Sequence, residues 1–69
     1  MKIIYDREVD ALSIIFKETT VVTKHLADGI TAELDSEGHV VGFEVLDASK
    51  RLTSKDELEH VQLQGLTAA

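Results

Sequence analysis

Asp6, Glu8 and Asp10 stand at alternate positions in Asp6-Arg7-Glu8-Val9-Asp10, the acid spacing of the first half of a calcium loop. Such a loop needs glycine at its sixth position and a bidentate glutamate at its twelfth. Counted from Asp6, those positions hold Ala11 and Lys17, so the match fails. The structural reading is the better one: Asp6 and Asp10 accept backbone N–H bonds and shape a turn. His25, His39 and His60 are the other metal-ligand type, but they fall on a predicted strand, turn and helix with no i, i+4 pair. Each lies among polar neighbours, where an exposed histidine is the ordinary outcome. Without cysteine a nucleophile would be Ser or Thr, yet no Gly-x-Ser-x-Gly or Ser-x-x-Lys motif surrounds Ser13, Ser36, Ser49 or Ser54. The four glycines are scattered, so no phosphate-cradling loop exists. Glu33 and Glu44 could face each other across strands, though solvated carboxylates are far commoner than a catalytic dyad. The expectation is no cofactor, no metal and no enzyme.

The elements that would position these residues are short strands. Lys2–Tyr5 is a β-branched run closed by the polar Asp6-Arg7-Glu8. Ala11–Phe16 alternates, with Leu12, Ile14 and Phe16 on one face. Lys17-Glu18 reads as a two-residue turn into the Thr- and Val-rich Thr19–Ala27. Asp28-Gly29 is the strongest turn signal, since both residue types tolerate positive φ. Ile30–Asp35 alternates again, Ser36–His39 forms a longer loop with Gly38 left-handed, and Val40–Leu46 places Val41, Phe43 and Val45 on one face. Five evenly spaced strands predict an antiparallel meander. After Leu46 the pattern turns helical. Asp47 can cap a short turn through Lys50. Ser54 and Glu57 fit a capping box opening one C-terminal helix to about Gln64, with Gly65 as its stop and His60 near its negative pole. The predicted fold is thus α+β, mostly β, in a single domain over 1–69: sheet 2–46, helical segment 47–65 and frayed tail 66–69.

Composition narrows the function classes. The chain of 69 residues is 43% hydrophobic and 29% charged, a globular balance. Its 13 acids against 7 bases give a net charge of −6. Lys50-Arg51 is the only adjacent basic pair and Tyr5, Phe16 and Phe43 are the only aromatics, so nucleic-acid binding is not expected. An acidic surface suits a basic protein partner instead. No apolar run approaches the ~20 residues that span a bilayer, and the first residues lack the build of a signal peptide. A cytoplasmic location and no membrane partner follow as expectations.

Three stretches carry a resemblance to a family. Lys2-Ile3-Ile4-Tyr5-Asp6 with Asp10-Ala11-Leu12-Ser13-Ile14 resembles the opening of domain of unknown function 2283 (DUF2283) proteins, small bacterial and archaeal chains. Asp35-Ser36-Glu37-Gly38-His39-Val40-Val41-Gly42 resembles their central hairpin, and Phe43-Glu44-Val45-Leu46-Asp47-Ala48-Ser49 their ending. Together these cover roughly residues 2 to 52. Ser13 departs from the pattern, which commonly carries tyrosine or another bulky residue there. The resemblance implies a small antiparallel sheet protein with no established activity. Some members are encoded beside small toxin-like proteins, which implies an antitoxin-like role.

Apolar accounting points the same way. One sheet face would present Leu12, Ile14, Phe16, Val22, Leu26, Ile30, Ala32, Leu34, Val41, Phe43 and Val45. Leu58 and Val61, aided by Leu52, Leu63 and Leu66, are too few to cover it. An uncovered surplus of several hundred Å² exceeds what a monomer usually exposes. The bland alternative is a twisted sheet that closes over its own core. The preferred expectation is a protein-interaction module acting as a homodimer or within a complex, with Leu12, Ile14, Phe16, Val41, Phe43 and Val45 as interface. The rival is a small-ligand or metal-dependent enzyme whose site forms across a dimer interface from Asp6, Asp10 and His25.

Overall fold

The computed structural model describes residues 1–65. Five strands form one antiparallel sheet: β1 (Lys2–Asp6), β2 (Ala11–Ile15), β3 (Val22–Ala27), β4 (Ile30–Leu34) and β5 (Val40–Val45). Their order is β1-β2-β5-β4-β3, so the sheet is not the sequential meander that the strand spacing predicts. β1 and β2 make one hairpin, β3 to β5 make a three-stranded meander, and β5 joins the two by pairing with β2. Lys17-Glu18 is therefore not a hairpin turn; residues 16–21 carry the chain from the middle of the sheet to its far edge. Burial follows the order. β5 holds buried Val41, Gly42 and Val45 and takes the centre, whereas β3 is exposed at all six positions and takes an edge.

The register fixes the faces, because directly paired residues share a side. Ile3 and Tyr5 pair with Ile14 and Leu12, these with Phe43 and Val45, and those with Ala32 and Ile30. This is the inner face. Ile4, Ser13, Glu44, Thr31 and His25 form a row across the outer face, the polar-out side of an antiparallel sheet. Beside that row Gly42 lies opposite Ile15 and Glu33. A Cβ on Gly42 would sit 2.9 Å from the Ile14 carbonyl oxygen, so only glycine lets β5 approach β2 this closely. Of the turn glycines, Gly29 (φ 72°) and Gly38 (φ 85°) are left-handed as their contexts predict, while Asp28 is not.

The covering layer is smaller than the sequence predicts. Two single-turn helices, α1 (Ala48–Arg51) and α2 (Lys55–Leu58), replace one helix reaching Gln64. Ser54 Oγ accepts from Glu57 N at 3.3 Å, the first half of the capping box. The helix stops because only Leu58 finds cover. Val61 and Leu63 are 53% and 66% exposed, and a helix without a packed face is too short to persist on propensity alone. His60 lies past the helix end, its Nδ1 2.6 Å from the Asp56 carbonyl oxygen. The expected Gly65 stop therefore has no helix to end, and the predicted tail 66–69 lies outside the described residues.

Leu12, Val45, Ala48 and Leu58 make the buried cluster, with Ile3, Tyr5, Ile14 and Ile30 packed against it. The fold is a slab of 37 × 34 × 17 Å whose helices roof one end of the inner face. We expect Gly42→Ala to cost about 1–3 kcal/mol through the backbone collision it forces, read as a lower urea midpoint with an unchanged slope.

Candidate functional site

The motif residues converge where the β1–β2 turn meets α1. Asp6 Oδ1 accepts from Glu8 N (3.0 Å) and Val9 N (3.4 Å), the turn-shaping role predicted for it. Asp10 does more. It is buried, adopts φ 56°, and receives bonds from both sides of the molecule. Tyr5 Oη donates to Asp10 Oδ1 at 2.6 Å, and Ser49 Oγ donates to Oδ2 at 2.7 Å. Ser49 N lies 3.1 and 3.2 Å from the two carboxylate oxygens, and Ala48 N donates to the Asp10 carbonyl at 2.9 Å. Asp47, the expected cap of α1, is left-handed and makes no side-chain cap bond. Asp10 satisfies that helix start from 39 residues away.

The electrostatics follow from this wiring. The Tyr5 hydrogen bond, then that of Ser49, holds the Asp10 carboxyl below its usual range. Burial and then the bond to Asp10 push the Tyr5 phenol up to about 12 from its ordinary 10.0. A carboxylate whose lone pairs are taken by three donor groups is a weak base, so this Tyr–Asp–Ser trio is wired as a lock. Asp35 is set similarly in the Ser36–His39 loop. Its Oδ1 accepts from His39 N and Glu37 N, each at 2.9 Å, and the His39 bond leads in lowering its pKa.

The other predicted residues are distributed as follows. Among the described residues no three His, Asp or Glu side chains converge on a metal-sized site. Asp6 and Asp10 lie at the β1–β2 turn and His25 on β3 at the opposite edge, four strand spacings or roughly 20 Å away. Glu33 and Glu44 share the outer face diagonally, opposite Gly42 and Thr31. A pocket of ≈ 180 Å³ between Met1, Lys2, Ile15, Phe16, Lys17 and Glu18 is below the ~300 Å³ usual for a small-molecule site. Of the six candidate interface residues, Leu12, Val41 and Val45 are buried within the chain, Ile14 and Phe43 are half-buried, and Phe16 is 47% exposed. The Phe16 and Phe43 rings meet edge to face at 6.2 Å. Around them the end of the inner face away from the helices also bares Val22 and half-buried Leu34. Sequence reasoning missed Tyr5, Ile3 and Ala48 as core members. The signal for Tyr5 was its place in the same turn unit as Asp10, five residues on.

The class so defined is a small one-sheet α+β protein closed by a Tyr–Asp–Ser hydrogen-bond lock. The model of the family "Protein of unknown function (DUF2283)" matches residues 2–49, and the chain belongs to that family. Every residue of the lock falls within the matched range. No curated protein and no solved structure is detectably similar to the chain. Among the described residues no helix is long and apolar enough to cross a membrane.

Tyr5 is the only tyrosine and the chain has no tryptophan, so phenolate absorbance near 295 nm reports the lock alone. The native midpoint should lie at about 12, and Asp10→Asn should lower it part of the way, the share due to burial remaining. Because the folded pKa is raised, the stability Tyr5 contributes is complete below pH 10 and lost as pH rises toward 12. Asp10 has the opposite sign. Its contribution is present above the ordinary carboxylate range and lost as pH falls through its lowered value. Ser49→Ala, which deletes one charge-assisted bond, should cost about 1.5 kcal/mol in urea unfolding.

Proposed function

We propose that this protein is a non-enzymatic interaction module that binds another protein chain through the bare end of its inner sheet face. The observation that carries the reading is the Phe16–Phe43 pair with Val22 and Leu34, an apolar end of the sheet that α1 and α2 leave unroofed. A contiguous apolar surface rimmed by polar residues is the common mark of a docking site, and an edge-to-face aromatic pair is a frequent energetic anchor. The Asp10 carboxylate, saturated by donors, supports a structural use of the one buried acid.

The concrete form is antitoxin-like, in line with the family resemblance. A net charge of −6 attracts a basic partner, speeds encounter and masks a surface that would otherwise touch an anionic target. Lys24, level with Ala32 on the inner face, is the one cation of β3 and would sit at the rim of the contact.

The test is co-expression with the protein encoded beside it, followed by affinity purification. Native chain should retain that partner in a salt-sensitive complex. Phe16→Asp should release it at least tenfold more readily while leaving the Tyr5 titration at about 12. A partner retained equally by native and Phe16→Asp chains, or retained by neither, would overturn this reading.

A further inference from the structure

The two edges of the sheet are built differently. β3 carries Lys24 at mid-strand and a register break between His25 and Ala27, the charge and bulge by which exposed edges resist pairing. β1 has neither. Its five residues pair with β2 in unbroken register from Lys2↔Ile15 to Asp6↔Ala11. Among the described residues no backbone hydrogen bond caps its outer side.

The outward backbone groups follow from the ladder. Phe16 N donates to Val41 O beside the Ile15–Gly42 pair, and Leu46 N donates to Gly29 O beside the Ile30–Val45 pair. Both mark their pairs as non-hydrogen-bonded positions, between which hydrogen-bonded pairs alternate. Ile14 and Leu12 therefore bond to β5, and Ser13, Ile15 and Ala11 bond to β1. In β1 itself Lys2, Ile4 and Asp6 bond inward, which leaves the N–H and C=O groups of Ile3 and Tyr5 pointing out.

We propose that β1 pairs antiparallel with β1 of a second copy about a twofold axis at Ile4, making one continuous ten-stranded sheet. The strand Lys2-Ile3-Ile4-Tyr5-Asp6 is complementary to itself in this register. Ile3 meets Tyr5 of the other copy as a hydrogen-bonded pair, twice, which uses all the outward groups. Ile4 meets its own copy on the outer face at a non-hydrogen-bonded position, where side chains lie closest. Lys2 meets Asp6 of the other copy at both ends, so opposite charges flank the axis. Lys2 now bonds exposed Glu18 at 2.9 Å, a surface pair that exchanges at little cost. Ile4 is 46% exposed in the single chain, and the pairing covers it. No other register about a twofold axis places both charges opposite their complements. This goes beyond the docking reading above and does not rest on it, since edge and bare face are different atoms.

The chain lacks cysteine, so one introduced thiol reports the geometry. At a non-hydrogen-bonded pair the Cα atoms lie ~4.5 Å apart, within disulfide range. Ile4→Cys should form a disulfide-linked dimer on mild oxidation, in most of the protein. Ser13→Cys, one strand inward on the same face, should remain single. Light scattering should give twice the 7.6 kDa chain mass for native protein and for Phe16→Asp. Ile4→Lys, which sets two lysines against each other at the axis, should give the single mass with the Tyr5 titration still at about 12. Native protein that stays single at high micromolar concentration would overturn the proposal. So would a dimer that Ile4→Lys leaves intact, or one in which Ile4→Cys fails to cross-link.

Discussion

The Asp10 carboxylate is the constraint on which the rest of this small fold depends. It closes a loop of 39 residues by taking Ser49 on one side and Tyr5 on the other. Without it, the Ser49 amide and hydroxyl at the start of α1 would lose their partner, because Asp47 makes no side-chain cap bond, and a single turn of helix with an unsatisfied end does not hold in water. With α1 misplaced, Ala48 would leave the cluster of Leu12, Val45 and Leu58, and the roof over the inner face would lift. The lock is polar, but its function is to secure an apolar contact. That division of labour suits a chain of this size, which buries only about 60% of the surface its unfolded form exposes.

The second constraint is shortage of cover. A sheet of five strands presents more inner face than two helical turns can roof. α2 is held at the β1–β2 turn by Arg7, whose guanidinium reaches Asp56 and Glu59 at 3.1 and 2.8 Å. Such exposed pairs contribute little each, so Leu58 carries most of the docking. The result is an asymmetry between a roofed end at Tyr5, Leu12 and Val45 and a bare apolar end at Phe16 and Phe43.

The strands were legible in the sequence to within a residue or two, except that Thr19 to Val21 precede β3. Local alternation and turn chemistry carry that information. Strand order was not legible, because Leu12, Ile14 and Phe16 would suit a partner in β3 as well as in β5. The observed pairing does place Gly42 too close to the Ile14 carbonyl for any Cβ, a tertiary contact that strand alternation does not announce. The helix was overextended for a related reason. Ser54 and Glu57 signal where it starts, but its length depends on tertiary cover that Val61 and Leu63 do not find. At Asp10 the sequence revealed an acceptor at a turn but not its partner, since Ser49 lies far along the chain. Motif residues resembling the family at both ends of the chain were the one clue that they meet. The Ser13 departure lies on the outer face between Ile4 and Glu44, away from the buried cluster, so the core does not depend on a bulky side chain there.

The placing of β5 at the centre also imposes a timetable on synthesis. The β1–β2 hairpin is complete by Ile15, yet the strand that must lie against it is not made until Val45. At ordinary elongation rates the hairpin waits several seconds, and an isolated two-stranded hairpin is marginal in water. For that interval β2, destined for the interior, is itself an open edge. The nascent chain thus spends its most vulnerable period with Leu12, Ile14 and Phe16 on a strand that any other extended segment can capture. During synthesis the sheet therefore cannot close until β5 has been made, and neighbouring nascent chains offering the same strands are what β2 would meet first.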